Sequence, residues 1–326
     1  MVAEALRIGL IGCGRAAERL WLPALRRVSE ARLVAAADVR AERRALVARE
    51  VPGCRQVEQA ESLMAGGAVD AVIVATPPES HFQLARLGLE AGVPLLVEKP
   101  LAATVAQTIE LDQLRRATAT PLMVGFNRRW WLPAVRLREL LQCETGPGRA
   151  ELVFVTEAAQ WKAIAGCPDL LDDLATHQFD LLRFLFKQEI ASVSATQTGP
   201  REVRMEAELV NGTSAVCRVA HDGGSEESVR VTTGSLQAWI HARSDRIAPA
   251  GGASRTALDL TDRVWRRLAG RRSTMRRSFE DELRAFIRAV RGGTEPSPGA
   301  ADAIAAATAL AAARESLAHA GAPVSP

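Results

Sequence analysis

The chain has 326 residues, about two domains' worth, with 24% charged and 48% hydrophobic residues, the ordinary balance of a globular protein able to bury a large core. A net charge of only +3 argues against nucleic acid as a partner, where a basic face is expected. There is no tyrosine, which excludes any mechanism needing a phenol as proton donor, and only three of the 41 cationic side chains are lysines: Lys99, Lys162 and Lys187.

The first third alternates short apolar runs with helical stretches. Leu6 to Ile11, Arg32 to Asp38, Ala71 to Ala75, Pro94 to Val97 and Leu122 to Val124 read as strands. Ala71 to Ala75 is apolar throughout, as a parallel strand covered on both faces requires. Between them, Ala16 to Leu22 (broken at Pro23), Ala41 to Arg49, Ser80 to Ala91 and Thr104 to Ala117 read as helices. Strict alternation predicts an α/β, doubly wound parallel sheet over residues 1–124.

After Gly125 the texture changes. Pro133 to Gln142 and Leu171 to Leu185 read as helices. Ala150 to Thr156, Ala191 to Thr196, Val203 to Leu209, Ser214 to Ala220, Ser228 to Thr233 and Gln237 to His241 read as strands, with Asn211-Gly212 as a hairpin signal. The Gly/Ala/Pro-rich segment Ile247 to Ser254 reads as a loop. Phe279, Leu283, Phe286, Ile287 and Val290 form one helical stripe, and Ala300 to Ala320 a last helix. Residues 125–326 therefore predict an α+β domain with an open, mostly antiparallel sheet, its last helices free to pack back on the first domain.

The five cysteines are scattered, without CxxC or Cys/His spacing, so neither a disulfide framework nor a metal site is expected. No cleavable leader and no apolar stretch of the ~18 residues a span needs is visible, which points to a cytoplasmic protein without membrane contact.

Gly12-Cys13-Gly14-Arg15-Ala16-Ala17 is a GxGxxA pattern between a strand and a helix, the context in which it binds a dinucleotide. Gly12 permits the turn, Gly14 lets a pyrophosphate approach the backbone, and Ala17 is small enough for close packing. Arg15 and Ala16 lie at the helix N-terminus, whose free N–H groups attract phosphate. Asp38 ends the second strand, 24 residues after Gly14, where a carboxylate binds ribose hydroxyls and repels a 2′-phosphate. That favours NAD, while Arg40, two residues on, leaves NADP open. Thr76, Pro77 and His81 follow the next strand at the carboxyl edge, where further cofactor contacts are expected.

Glu98-Lys99-Pro100 ends another strand. An ammonium there is costly to bury without a partner or ligand, and it suits a site where a proton moves. Asp173, His177 and Asp180 lie within roughly 60° of one another on a helix, beside an apolar stripe. An imidazole in such a row can take a hydroxyl proton, with a carboxylate to orient it. Three ligands on one helix surround a metal poorly, so no metal is expected.

Together these pieces resemble the glucose–fructose oxidoreductase / inositol dehydrogenase / rhizopine catabolism (Gfo/Idh/MocA) family. The carrying residues are GLIGCGRAA at 9–17, ATPPESH at 75–81, VEKPL at 97–101, VGFNRRW at 124–130 and DLATHQFD at 173–180. The resemblance implies NAD(P)-dependent oxidation or reduction of a sugar, cyclitol or related polyol, with Lys99, Asp173 and His177 catalytic and Glu98 and Lys99 also near the cofactor. Asn127, Arg129, Trp130 and Trp161 would shape the substrate site. It also implies a homodimer or homotetramer formed through the second sheet. Where the family commonly has glycines around the Asp, this chain has Gly166-Cys167-Pro168-Asp169 and Ala175, which stiffens a substrate-facing loop. The seven arginines between Arg263 and Arg277 fit a solvated stretch or a contact for an anionic substrate such as a nucleotide-linked sugar. A non-catalytic nucleotide sensor is the remaining alternative.

Overall fold

The computed structural model describes residues 4–157, 169–222, 224–241, 244–249 and 274–326. Trp161, Lys162, the 166–168 segment and Arg263 to Arg272 lie outside the described residues. The chain divides into two compact units: Met1–Asn127 with Arg276–Ile304, and Arg128–Met275 with Ala305–Pro326.

The first unit holds six strands: β1 (Leu6–Ile11), β2 (Ala31–Ala37), β3 (Arg55–Val57), β4 (Ala71–Val74), β5 (Leu95–Glu98) and β6 (Leu122–Gly125). They are parallel, in the order β3-β2-β1-β4-β5-β6. This is the doubly wound dinucleotide-binding order, whose crevice opens at the strand carboxyl ends where the order reverses between β1 and β4. All four residues of β4 and of β6 are buried, which is why these runs are continuously apolar rather than alternating.

The connecting helices are α1 (Leu22–Leu25), α2 (Ala41–Glu50), α3 (Ala60–Met64), α4 (His81–Glu90) and α5 (Val105–Thr118). Thr104 caps α5 by accepting from the Gln107 N–H at 3.2 Å. Pro23 does not break the first helix as its sequence predicts. Residues Ala17–Trp21 form a π-turn that leads directly into α1, with the Leu22 N–H reaching back to Ala17 O. The wider turn accommodates a ring that would clash with a regular preceding turn.

The second unit contains α6 (Leu132–Leu141), α7 (Thr176–Phe186) and seven strands: β7 (Arg149–Glu157), β8 (Ile190–Gly199), β9 (Glu202–Leu209), β10 (Ser214–Asp222), β11 (Glu226–Thr232), β12 (Leu236–His241) and β13 (Ser244–Pro249). Their order is β13-β12-β11-β7-β10-β9-β8. Only β7 and β10 pair in parallel, so the sheet is mixed but mostly antiparallel. β9 alternates strictly, burying Val203, Met205, Ala207 and Leu209 and exposing Arg204, Glu206 and Glu208. The start of the expected loop, 247–249, is instead strand. Ile247 stands opposite Ala238, so the β12 ladder satisfies backbone groups that composition alone leaves open.

Two long helices close the chain, α8 (Thr274–Gly292) and α9 (Ala300–Ala318). From Arg276 on, α8 belongs to the first unit, where Phe279 meets Trp21 edge-to-face with ring centroids 5.3 Å apart. Leu283, Phe286 and Ile287 are buried on the same stripe, each contributing about 1.5–3 kcal/mol by leaving water. Ala309 and Ala313 of α9 join Trp131, Phe154 and Phe179 in the core of the second unit. Among the described residues, no helix is long and apolar enough to cross a membrane.

Candidate active site

In the first unit the predicted cofactor residues gather at the carboxyl ends of β1, β2, β4 and β5. Gly12 follows β1 with φ +87°, and a Cβ there would lie 2.7 Å from the backbone carbonyl of Ala75 and 2.8 Å from Thr76 Cγ2. Only glycine fits both constraints. A Cβ at Gly14, by contrast, would meet nothing within 4 Å, so the backbone there faces open space, as pyrophosphate binding requires. Arg15 and Ala16 are partly exposed at the start of the helix, and Ala17 is fully buried. These residues fit a dinucleotide.

Asp38 is turned toward the glycine loop. Its Oδ2 accepts the Cys13 N–H at 2.8 Å and its Oδ1 the Arg40 N–H at 2.9 Å, with Arg40 Nε 3.6 Å away. The carboxylate expected at the ribose hydroxyls therefore also braces the glycine loop. Burial pushes the Cys13 thiol up to about 12, so it sits in this loop as a small protonated apolar group.

Two residues expected at the cofactor also have protein partners. His81 is fully buried, with Nδ1 2.7 Å from Pro100 O and Nε2 2.9 Å from Thr76 O. Its ring ties the loop after β4 to the turn after Lys99 and presents no nitrogen to a ligand. Glu98 Oε1 accepts the Trp21 indole N–H at 2.9 Å, which joins the end of β5 to the helix behind the glycine loop. Thr76 accepts from the Ser80 hydroxyl at 2.7 Å, and Pro77 starts the turn into α4. Lys99 is partly exposed directly after β5.

The second unit assembles the acid–imidazole row. Asp173 lies in a π-turn, Leu171–Ala175, that opens into α7. The regular 100° spacing used to align it with His177 therefore does not hold between them. Asp173 Oδ2 instead lies 3.4 Å from Nε2 of His221 on β10, both side chains being buried. His177 Nε2 lies 2.7 Å from Nη1 of Arg128. Arg128 Nη2 in turn reaches Oε1 of Glu227 on β11 at 2.5 Å.

Of the residues expected to shape the substrate site, Arg129 is engaged by Asp180. Its Nη2 lies 2.6 Å from Oδ1 and its Nε 3.0 Å from Oδ2, a two-point clamp on α7. Asn127 ends the first unit, buried, and donates to Ser278 Oγ at 3.0 Å. Both thus have side-chain partners within their own unit. Trp130 is partly buried, and Trp161 lies outside the described residues.

Arg128, Glu227 and His221 escaped sequence reasoning. Arg128 stands inside the VGFNRRW run, between two residues singled out by resemblance. Glu227 and His221 arrive from strands of the sheet without any local motif. Among the described residues no cluster of three or more His, Cys, Asp or Glu could hold a metal ion.

Over 98% of its length the chain is 29% identical to inositol 2-dehydrogenase 2 of Mycolicibacterium vanbaalenii, of which it covers 94%. An oxidoreductase domain protein from Kribbella flavida shares the fold with a TM-score of 0.86 at 21% identity, over 99% of both chains. Scyllo-inositol dehydrogenase from Lactobacillus casei, solved with NAD(H) and scyllo-inositol, does so with a TM-score of 0.80 at 18% identity, over 99% of both. Residues 6–126 match the model of the Gfo/Idh/MocA oxidoreductase family, described as having an NAD-binding Rossmann fold.

Proposed function

We propose that this chain is an NAD-dependent dehydrogenase that oxidises a ring hydroxyl of a cyclitol or closely related sugar. The observation that carries the reading is the end-to-end likeness to an inositol 2-dehydrogenase, with Lys99, Asp173 and His177 all present. Bound NAD supplies the hydride acceptor. Gly12 and Gly14 shape the backbone that receives its phosphates, and Asp38 sets the loop that carries them.

His177 accepts the hydroxyl proton, a role open to an imidazole whose Nε2 is an acceptor. Lys99 stabilises the negative charge developing on the reacting oxygen. Asp173 orients this machinery, itself held by His221. With no tyrosine in the chain, the proton has no phenolic route. Homodimers or homotetramers formed through the sheet of the second unit are proposed with this reading, on the strength of the family resemblance; sedimentation velocity checks them. A cytoplasmic setting is proposed too, supported by the free thiols of Cys13, Cys54, Cys143 and Cys217.

The test is NAD reduction across a panel of inositol isomers, aldoses and nucleotide-linked sugars. Turnover of at least one inositol with the highest kcat/KM supports the proposal. Preference for a nucleotide-linked sugar moves the substrate class, and NAD binding without turnover on any member leaves a sensor.

A further inference from the structure

Arg128 uses its two terminal nitrogens differently from its neighbour Arg129. Arg129 spends its fork on one carboxylate, Asp180, the geometry of a stabilising pair. Arg128 divides its fork: Nη2 goes to Glu227, and Nη1 goes to Nε2 of His177. The guanidinium carbon lies over the Phe154 ring, 5.7 Å from its centroid. Both charged partners are mostly buried, at 14% and 16% side-chain exposure, so the arrangement is held away from bulk water.

A guanidinium can only donate. The nitrogen of His177 that it meets must therefore be the unprotonated one, and a neutral ring carries its proton on Nδ1. Arg128 thus selects the one tautomer whose Nε2 lone pair can take a proton, and it covers that lone pair. We propose that Arg128, anchored by Glu227, is a positioning residue that keeps His177 Nε2 proton-free and aimed until a substrate hydroxyl takes the place of Nη1. This rests on the reading of His177 as the base. When the hydroxyl arrives, its O–H bond breaks as an Nε2–H bond forms, while Glu227 retains Arg128 through Nη2. The new imidazolium then carries the same charge as the guanidinium, which keeps Nη1 from returning until the proton leaves.

The first test does not depend on turnover. With histidine labelled by ¹⁵N in the full-length protein, and His177 assigned by its loss in His177→Gln, Nε2 is expected unprotonated and Nδ1 protonated. In Arg128→Ala this preference relaxes toward a mixture of tautomers. A wild-type His177 protonated on Nε2 overturns the inference, whatever the protein turns over. The second test is kinetic. Arg128→Ala is expected to lower kcat about 100-fold, the size of a positioning error beside the reacting atoms, with NAD affinity unchanged. Methylguanidinium should restore part of that kcat, and should do nothing for His177→Ala. Arg128→Lys, which reaches only one of the two partners, should fall between, as should Glu227→Gln. Wild-type kcat in Arg128→Ala, or a change confined to KM, overturns the inference. A wild type that turns over nothing contradicts the dehydrogenase reading and leaves the nitrogen assignment to be decided by the spectra.

Discussion

Asp180 is 1% exposed and faces a guanidinium that is itself 10% exposed. Removing one partner strands a buried charge, so Asp180→Ala is expected to cost about 3–5 kcal/mol, read from urea denaturation. A loss below about 1 kcal/mol would mean that the clamp behaves like an exposed surface pair. Gly12 offers a second residue-level check. Its positive φ and the carbonyl 2.7 Å from any added Cβ leave no room for alanine. Gly12→Ala should lose about 1–3 kcal/mol from strain alone, and NAD affinity should fall with it. Gly14→Ala should fold normally, since its Cβ meets only open space, and should lose NAD affinity selectively. Equal loss of stability in the two variants would contradict the division of labour between them.

At the level of elements, His81 ties α4 to the turn after β5. Its burial outweighs its two carbonyl partners and pushes its pKa below the ordinary histidine range. The unfolded chain then binds a proton near pH 6.5 that the folded chain refuses, so this contribution to stability is complete above that pH and is lost as pH falls. Thermal unfolding followed from pH 8 to pH 5 should show the decline, and His81→Gln should flatten it. An unchanged acid slope in the variant would assign the decline to other groups.

The parallel sheet and the glycine loop were legible because each rests on a local pattern: a buried apolar run, or a tight strand–helix turn. The π-turns at Ala17–Trp21 and Leu171–Ala175 were not, because helical periodicity assumes a constant angle per residue. Protein partners of residues singled out by position or resemblance were not legible either. His81 and Arg129 are spent on protein partners, and no spacing rule distinguishes a carbonyl from a cofactor. The Glu227–Arg128–His177 chain depends on β11 lying where α7 and the 127–130 turn can meet it, which is a property of the sheet order rather than of any segment.

Taken as a whole molecule, the chain carries an NAD-binding fold in one unit and a buried acid–imidazole cluster in the other, with no tyrosine to share the proton. Lys99→Ala should abolish turnover while NAD affinity stays within twofold, about the resolution of a titration; a matching loss of NAD affinity would make Lys99 a cofactor anchor instead. On the proposed reading, hydride leaves a ring carbon of a cyclitol. Its most direct test is transfer of deuterium from an inositol labelled at its ring C–H positions, followed by mass spectrometry of the nicotinamide. One deuterium per reduced cofactor is predicted. Cyclitol consumption with no deuterium in the cofactor, or no reaction at all, would contradict it.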